Sequence, residues 1–241
     1  MEPLTATPAL TNWPGLFAPT SPPSLRAPQP APIRPGEIDI AHLLKVGMKP
    51  VPTGGRVSMF VLRGFLSEAE CTALITRIEA SHRPSTVVYG NGDDSYRTSS
   101  TCEFDTRDPV VNWLDGKLDR ISGIPPRYGE ALQGQRYAIG QEFKAHTDTF
   151  EPNDPETERH CAVAGQRTWT FLTYLNDVEA GGTTRFPALD KLIQPERGML
   201  VCWNNLRPDG SPNPDTLHHA MKVRRGMKYV VTRWYRERAW R

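Results

Sequence analysis

Arg136-Tyr-Ala-Ile-Gly-Gln-Glu-Phe-Lys-Ala-His-Thr-Asp148 is the stretch on which the fold of this chain turns. Successive residues of a β-strand point to opposite faces, so His146 and Asp148, two apart, share a face while Thr147 turns away. An imidazole and a carboxylate side by side can grip one metal ion, and a further histidine must then arrive from another strand. The pair alone carries little weight, because six histidines and 13 aspartates in 241 residues make about 0.3 such pairs expected by chance. Its surroundings decide the matter.

Downstream of Glu130 the sequence reads as short strands broken by Gly, Pro and Asn, around Gln133 to Ile139, Thr168 to Leu175, Gly198 to Trp203 and Tyr229 to Tyr235. Upstream the pattern is different. Val57, Met59 and Val61 alternate with polar neighbours as a half-buried strand would, and Ser67-Glu-Ala-Glu70 is a capping box that opens a helix with Leu74, Ile75 and Ile78 on one face. A second helix is expected after Asp108, with Val111, Leu114, Leu118 and Ile121 at three- and four-residue spacing before Gly123 stops it. Helices first and many short strands afterwards predict an α+β chain. Its core is expected to be a two-sheet jelly roll, a double-stranded β-helix, with the N-terminal helices packed outside.

Ten of the 23 prolines fall within residues 1–35, mixed with Ala, Thr and Ser. Such a segment can neither donate regular backbone hydrogen bonds nor bury much surface. Residues 1–50 are therefore expected to be a Pro-rich, largely disordered tail, and residues 51–241 a single catalytic domain, since the length suits one core. With 29 basic against 27 acidic residues the net charge is +2, which gives no general attraction to nucleic acid or anionic lipid. No apolar run approaches the roughly 20 residues that span a bilayer, and no leader pattern opens the chain. Cys71, Cys102, Cys161 and Cys202 form no CxxC pair, so neither a zinc knuckle nor a disulfide scaffold is expected, and a reducing cytoplasm fits.

Two imidazoles and one carboxylate on one face of a ferrous ion leave three positions open for a cosubstrate and O2. His42 lies near the tail and His82 follows the first helix, which leaves His160, His218 and His219 as candidates for the third ligand. A zinc hydrolase would need a base, for which Glu142 is the nearby candidate.

Four blocks narrow the choice. They are Tyr96-Arg-Thr-Ser-Ser100; Glu130, Gln133, Arg136-Tyr137, Gly140-Gln141 and His146-Thr-Asp148; Arg167-Thr-Trp-Thr170, Tyr174-Leu-Asn-Asp-Val178 and Gly181-Gly-Thr-Thr-Arg-Phe-Pro187; and Trp203-Asn204, Pro208-Asp-Gly-Ser211, Leu217-His218, Val223, Gly226, Lys228 and Trp234. In this order they resemble the iron and 2-oxoglutarate dependent prolyl 4-hydroxylases, over about Arg56 to Arg238. The resemblance implies that His146, Asp148 and His218 hold Fe(II), because in that family the distal histidine follows a leucine and precedes an anchoring lysine by ten positions. It implies that Lys228 anchors the far carboxylate of 2-oxoglutarate, with Tyr137 and Tyr174 as hydroxyl donors to the same molecule. O2 is the other cosubstrate and ascorbate an accessory reductant. Arg97, Arg167 and Trp234 fall where the family contacts a prolyl peptide or protein substrate, and no side chain is required as a proton donor.

The chain departs from the pattern at three places. Phe143 stands where a tyrosine is usual, Lys222 replaces a proline before Val223, and His219 occupies a position that is usually small. Phe143 raises the alternative that the same chemistry acts on a free amino acid or other small molecule. A non-catalytic metal-binding jelly roll is a further alternative, set against an intact triad and acid anchor.

Overall fold

The computed structural model describes residues 36–85, 96–150 and 155–240. In chain order the elements are α1 (Ile40–Lys45), β1 (Lys49–Pro50), β2 (Met59–Leu62), α2 (Glu68–Ser81), β3 (Arg83–Pro84), β4 (Ser100–Glu103), α3 (Pro109–Ser122), β5 (Gln133–Tyr137) and β6 (Phe143–His146). They continue as α4 (Pro155–Ala164), β7 (Arg167–Tyr174), β8 (Ala180–Gly181), β9 (Thr184–Phe186), β10 (Lys191–Ile193), β11 (Leu200–Asn204), β12 (His218–Ala220), β13 (Val223–Arg225) and β14 (Lys228–Arg236). The chain is thus a mixed helix and sheet protein.

The two helices read from the sequence form for the reasons given by their ends. Ser67 accepts a hydrogen bond from the Glu70 amide while the Glu70 carboxylate takes the Ser67 amide, so the capping box before α2 is complete. Asp108 caps α3 through the amides of Val110 and Val111, and Gly123 ends it in the left-handed conformation, at φ 70°.

An eight-stranded sheet runs in the order β1-β2-β11-β7-β14-β5-β4-β3, beside a four-stranded sheet β10-β9-β12-β6 and a pair β13-β8. Strand β7 lies at the centre and is buried from Thr168 to Tyr174, so its two faces feed two cores. Trp169 and Phe171 point toward Leu43, Leu74, Ile78 and Leu114 of the helices. Leu172 and Tyr174 point the other way, where they pack with Phe186 and Ala220 of the smaller sheet. That second face is the one that matters for function. Its register sets Trp203, Thr170 and Trp234 side by side across β11, β7 and β14, then Val201, Leu172 and Thr232, and farther along Lys228 beside Tyr137.

Three features differ from the sequence reading. Residues 36–50, which composition draws into the tail, instead supply α1 and β1, and Leu43 and Met48 are buried in the helix-side core. Apolar anchors at Ile38, Leu43 and Met48 outweigh the proline-rich composition that precedes them. Residues 1–35 lie outside the described part of the chain. Strand β6 ends at His146, so Asp148 stands in the loop beyond it rather than on the strand. Helix α4, between the Asp148 loop and β7, was not anticipated; its last carbonyls, those of Cys161, Ala162 and Val163, accept hydrogen bonds from Arg238, a stabilising arrangement at a helix C-terminus that sequence spacing does not reveal.

Candidate metal centre

Strands β6 and β12 pair antiparallel with His146 directly opposite His218. Directly opposed side chains on one face of such a pair lie about 5 Å apart at Cβ, which is why two histidines 72 positions apart in sequence meet here. Asp148 reaches the same point from the loop after β6. One ligand-type atom from each of the three lies within 4.8 Å of the others. Among the described residues this is the one such group of three or more.

Each side chain is aimed by a second contact. His146 Nδ1 lies 2.7 Å from the carbonyl of Lys144 and His218 Nδ1 3.0 Å from that of Thr216. A carbonyl only accepts, so both Nδ1 atoms carry the proton and both Nε2 lone pairs are left for a metal. The Thr170 hydroxyl donates to Asp148 Oδ2 at 2.7 Å and itself accepts from Asn205 Nδ2 at 2.9 Å. Burial, together with the neighbouring His218, pushes the His146 pKa down to about 3, which keeps the ring neutral. Burial would raise the Asp148 carboxyl, but the imidazoles, Arg167 and the Thr170 hydroxyl outweigh it and hold the group ionised, below the usual carboxylate range. Two neutral imidazoles and a carboxylate are the donor set that suits ferrous iron with positions left open.

The sequence left His160 and His219 as rivals to His218, and the structure separates them. His219 faces away, with Nε2 2.9 Å from Glu142 Oε2, and His160 stacks on Phe150 at 5.2 Å. Glu142, the candidate hydrolytic base, is engaged by that hydrogen bond and by the Lys222 ammonium at 3.4 Å.

A β-bulge shapes the metal-facing surface. His218 pairs with His146 and Ala220 with Phe143, so two residue intervals of β12 lie against three of β6. In a regular strand residues three apart face opposite ways, and the bulge turns Phe143 to the side of His146. Their rings stack at 3.5 Å with 16° between planes, and the Arg97 guanidinium lies 4.7 Å from the centroid of the Phe143 ring.

The cavity beside the three ligands is also lined by Lys228, Tyr137, Thr184, Arg97, Trp203 and Trp234. Lys228 is 1% exposed. Among the described residues no carboxylate lies within ion-pair distance of it, and its nearest hydrogen-bond partner is Thr184 Oγ1 at 3.5 Å. The rings of Tyr137 and Tyr174 flank the ammonium at 5.2 and 5.5 Å. Burial alone pushes its pKa from 10.5 down to about 7. A buried cation without a counter-charge is costly, and an entering anion would relieve it.

The expected substrate residues divide. Arg97 and Trp234 line the cavity, whereas Arg167 does not. Arg167 grips Glu130 with two hydrogen bonds of 2.7 and 2.8 Å, donates to the backbone carbonyl of Asp148 at 3.4 Å and stacks 3.9 Å from the Trp234 ring. It holds the Asp148 loop in place. Tyr174 donates its hydroxyl proton to Thr184 and Tyr137 donates to Gln135, each at 2.7 Å, so neither proton points freely into the cavity. Sequence reading missed Asn205, Thr184 and Gln135. Thr184 and Asn205 carry no signal of their own, being ordinary polar residues until the sheets meet.

The sequence profile of the 2OG-Fe(II) oxygenase superfamily matches residues 132–236, the span that holds all three ligands and Lys228. The fold agrees. A viral collagen prolyl hydroxylase from Paramecium Bursaria Chlorella virus-1, solved with 2-oxoglutarate, superimposes with a TM-score of 0.60, covering 77% of this chain and 99% of that one at 24% identity. A prolyl hydroxylase from Trichoplax adhaerens in complex with a hypoxia inducible factor peptide fragment gives a TM-score of 0.55 at 17% identity, covering 74% and 83%. In sequence, prolyl 4-hydroxylase 5 of Arabidopsis thaliana is 34% identical over 200 residues, spanning 73% of this chain and 67% of that protein. The probable prolyl 4-hydroxylase 8 of the same plant is 33% identical over 201 residues with the same coverage. The chain belongs to the prolyl 4-hydroxylase family of 2-oxoglutarate and iron dependent dioxygenases.

Proposed function

We propose that the chain hydroxylates prolyl residues of a peptide or protein, using Fe(II), 2-oxoglutarate and O2 and releasing succinate and CO2. The observation that carries this reading is the meeting, in one cavity, of the His146, Asp148 and His218 cluster with the buried ammonium of Lys228. When bound, iron with 2-oxoglutarate and O2 supplies the oxidising power that converts a proline C–H bond to C–OH. The protein contributes placement and dryness. His146 and His218 offer Nε2, fixed by their Nδ1 hydrogen bonds; Asp148 offers the carboxylate that Thr170 orients; Lys228 anchors the distal carboxylate of 2-oxoglutarate, with Tyr137 and Tyr174 walling its pocket. A charge-assisted hydrogen bond in so enclosed a place is roughly twice as strong as a neutral one.

Arg97 and Trp234, on the cavity wall, are proposed to meet the prolyl substrate, and Arg167 to act through Asp148 and Trp234. The two facing sheets are read as a double-stranded β-helix, and the dioxygenase domain as a body that takes in α1 and β1. Ascorbate as reductant rests on the family resemblance alone, and a cytoplasmic location on the four free cysteines. Among the described residues no helix is long and apolar enough to cross a membrane.

The test is product analysis. Incubation with Fe(II), 2-oxoglutarate and proline-containing peptides should add one oxygen to proline for each succinate formed, as read by mass spectrometry. Oxygen added to free proline and to no peptide would move the assignment to the small-molecule reading that Phe143 raises. Metal binding with no 2-oxoglutarate turnover across a broad peptide panel would count against an enzyme.

A further inference from the structure

Gly36 is fixed at one end of the two central strands, β7 and β14. The Thr168 hydroxyl of β7 donates to its carbonyl at 2.5 Å, and the neighbouring Glu37 carboxylate accepts from Trp169 Nε1 at 3.0 Å and from Asn204 Nδ2 at 2.8 Å. Against β14 the approach is closer still: at φ 78° a Cβ on residue 36 would run into the carbonyl oxygen of Arg236, so glycine is required. Both strands lead from this point to the metal cluster. Two residues along β7 from Thr168, Thr170 donates to Asp148 Oδ2 at 2.7 Å, and two residues back along β14 from Arg236, Trp234 lines the cavity. With a strand rise of about 3.3 Å per residue, the Gly36 carbonyl lies within about 17 Å of the Asp148 carboxylate. Ten prolines fall within residues 1–35. Pro28 stands eight positions before Gly36, and a backbone spans at most about 3.5 Å per residue, so Pro28 has a reach of about 28 Å. Pro23, Pro22 and Pro19 have more slack, whereas Pro35 has about 4 Å and cannot leave Gly36.

We propose that the enzyme hydroxylates its own N-terminal segment, within the same chain, at one or more of Pro19, Pro22, Pro23 and Pro28. The inference rests on the reading of the cavity as a prolyl hydroxylation site. A prolyl segment tethered this close has an effective concentration in the millimolar range without any new contact, and a proline whose tether cannot span the distance has almost none. Each turnover replaces one proline C–H by C–OH, one oxygen atom of O2 entering the proline and the other entering the succinate formed as 2-oxoglutarate loses CO2. The same segment competes with any outside peptide for the cavity, which lowers the apparent affinity for that peptide.

The experiment incubates the full chain with Fe(II), 2-oxoglutarate and O2 labelled with oxygen-18, without added peptide, and maps residues 1–35 by tandem mass spectrometry. One labelled oxygen is expected on at least one of the four prolines and none on Pro35. The rate per chain should stay constant over about a thirty-fold range of protein concentration, and an isotopically marked His218→Ala chain mixed in should remain unmodified, because the reaction is intramolecular. A rate that rises with concentration, or oxygen on the His218→Ala chain, places the reaction between chains and overturns the proposal. A second readout needs no turnover. In protein loaded with Mn(II) and 2-oxoglutarate, the chain with Pro19, Pro22, Pro23 and Pro28 all changed to alanine should bind a synthetic peptide of residues 16–31 at least about three-fold more tightly than the unsubstituted chain, since its own segment no longer competes. Equal binding means that the segment does not enter the cavity, which overturns the proposal. Oxygen on the added peptide with none on the chain's own prolines overturns it too and leaves the prolyl hydroxylase reading intact, whereas oxygen on neither, across a broad peptide panel, refutes that reading beneath it.

Discussion

Lys228→Met separates binding from stability, because the structure predicts opposite signs for the two. The ammonium is 1% exposed, has no carboxylate in ion-pair range among the described residues, and reaches Thr184 only at 3.5 Å. Its pKa falls from 10.5 to about 7, and each pKa unit is worth 1.36 kcal/mol, so the site disfavours the charged lysine by ~5 kcal/mol. Methionine has a similar length, fills the space between Tyr137 and Tyr174 and carries no charge. The cosubstrate-free protein should therefore be unchanged or more stable, by up to ~3 kcal/mol at neutral pH, in line with other buried charges replaced by apolar groups. Cosubstrate binding should move the other way. Removing one member of a buried charge pair costs about 2–5 kcal/mol, so the dissociation constant for 2-oxoglutarate should rise at least ~30-fold. Urea denaturation of the metal-free protein gives the first quantity, and titration of 2-oxoglutarate into Mn(II)-loaded protein gives the second. A variant that is destabilised by more than about 2 kcal/mol yet binds 2-oxoglutarate normally would show that Lys228 is a structural residue and refute the reasoning.

Other consequences follow from the same geometry. Because Lys228 is half-deprotonated near pH 7, 2-oxoglutarate affinity should fall as pH rises above that value, approaching tenfold per unit, with proton uptake on binding visible in calorimetry in buffers of different ionisation enthalpy. The folded pKa lies below the unfolded one, so this lysine makes the cosubstrate-free protein gain stability between about pH 7 and 10.5, the reverse of a paired lysine. Thr170→Val removes the hydroxyl that orients Asp148 and should weaken Mn(II) binding about 10–100-fold with little loss of fold, measured by metal titration. Gly134→Ala places a Cβ 2.7 Å from Ile78 Cγ1 and 2.9 Å from Phe104 Cζ on the helix side of the sheet, so it should cost about 1–3 kcal/mol in denaturation while metal affinity stays unchanged.

Much of the architecture was legible because the chain punctuates itself. Ser67 with Glu70, and Asp108 with Gly123, mark the two long helices at their ends, and the observed strands β5, β7, β11 and β14 fall within two residues of the expected ones. Helix α1 escaped because Ile40–Lys45 is short and follows a proline-rich run whose composition dominates any window that includes it. The meeting of His146 with His218 was suggested by resemblance and could not be derived from local pattern, since cross-strand register is a tertiary property. The bulge in β6 explains why alternation misjudged this strand. It turns Phe143 to the side of His146, and because β6 ends at His146 the carboxylate of Asp148 is held from the loop by contacts with Thr170 and Arg167. The resemblance sets Arg167 among the substrate contacts, but residue identity alone gives no direction for the side chain, and Glu130, 37 positions earlier, engages its guanidinium.

Metal titration of two neighbouring histidine variants tests the central claim most directly. His218→Ala should abolish stoichiometric Mn(II) binding, because its Nε2 is one of three clustered donors, while His219→Ala should bind Mn(II) within a few-fold of the unsubstituted chain, because that ring faces Glu142 on the other side of β12. Retained binding in His218→Ala together with loss in His219→Ala would contradict the site and the function built on it.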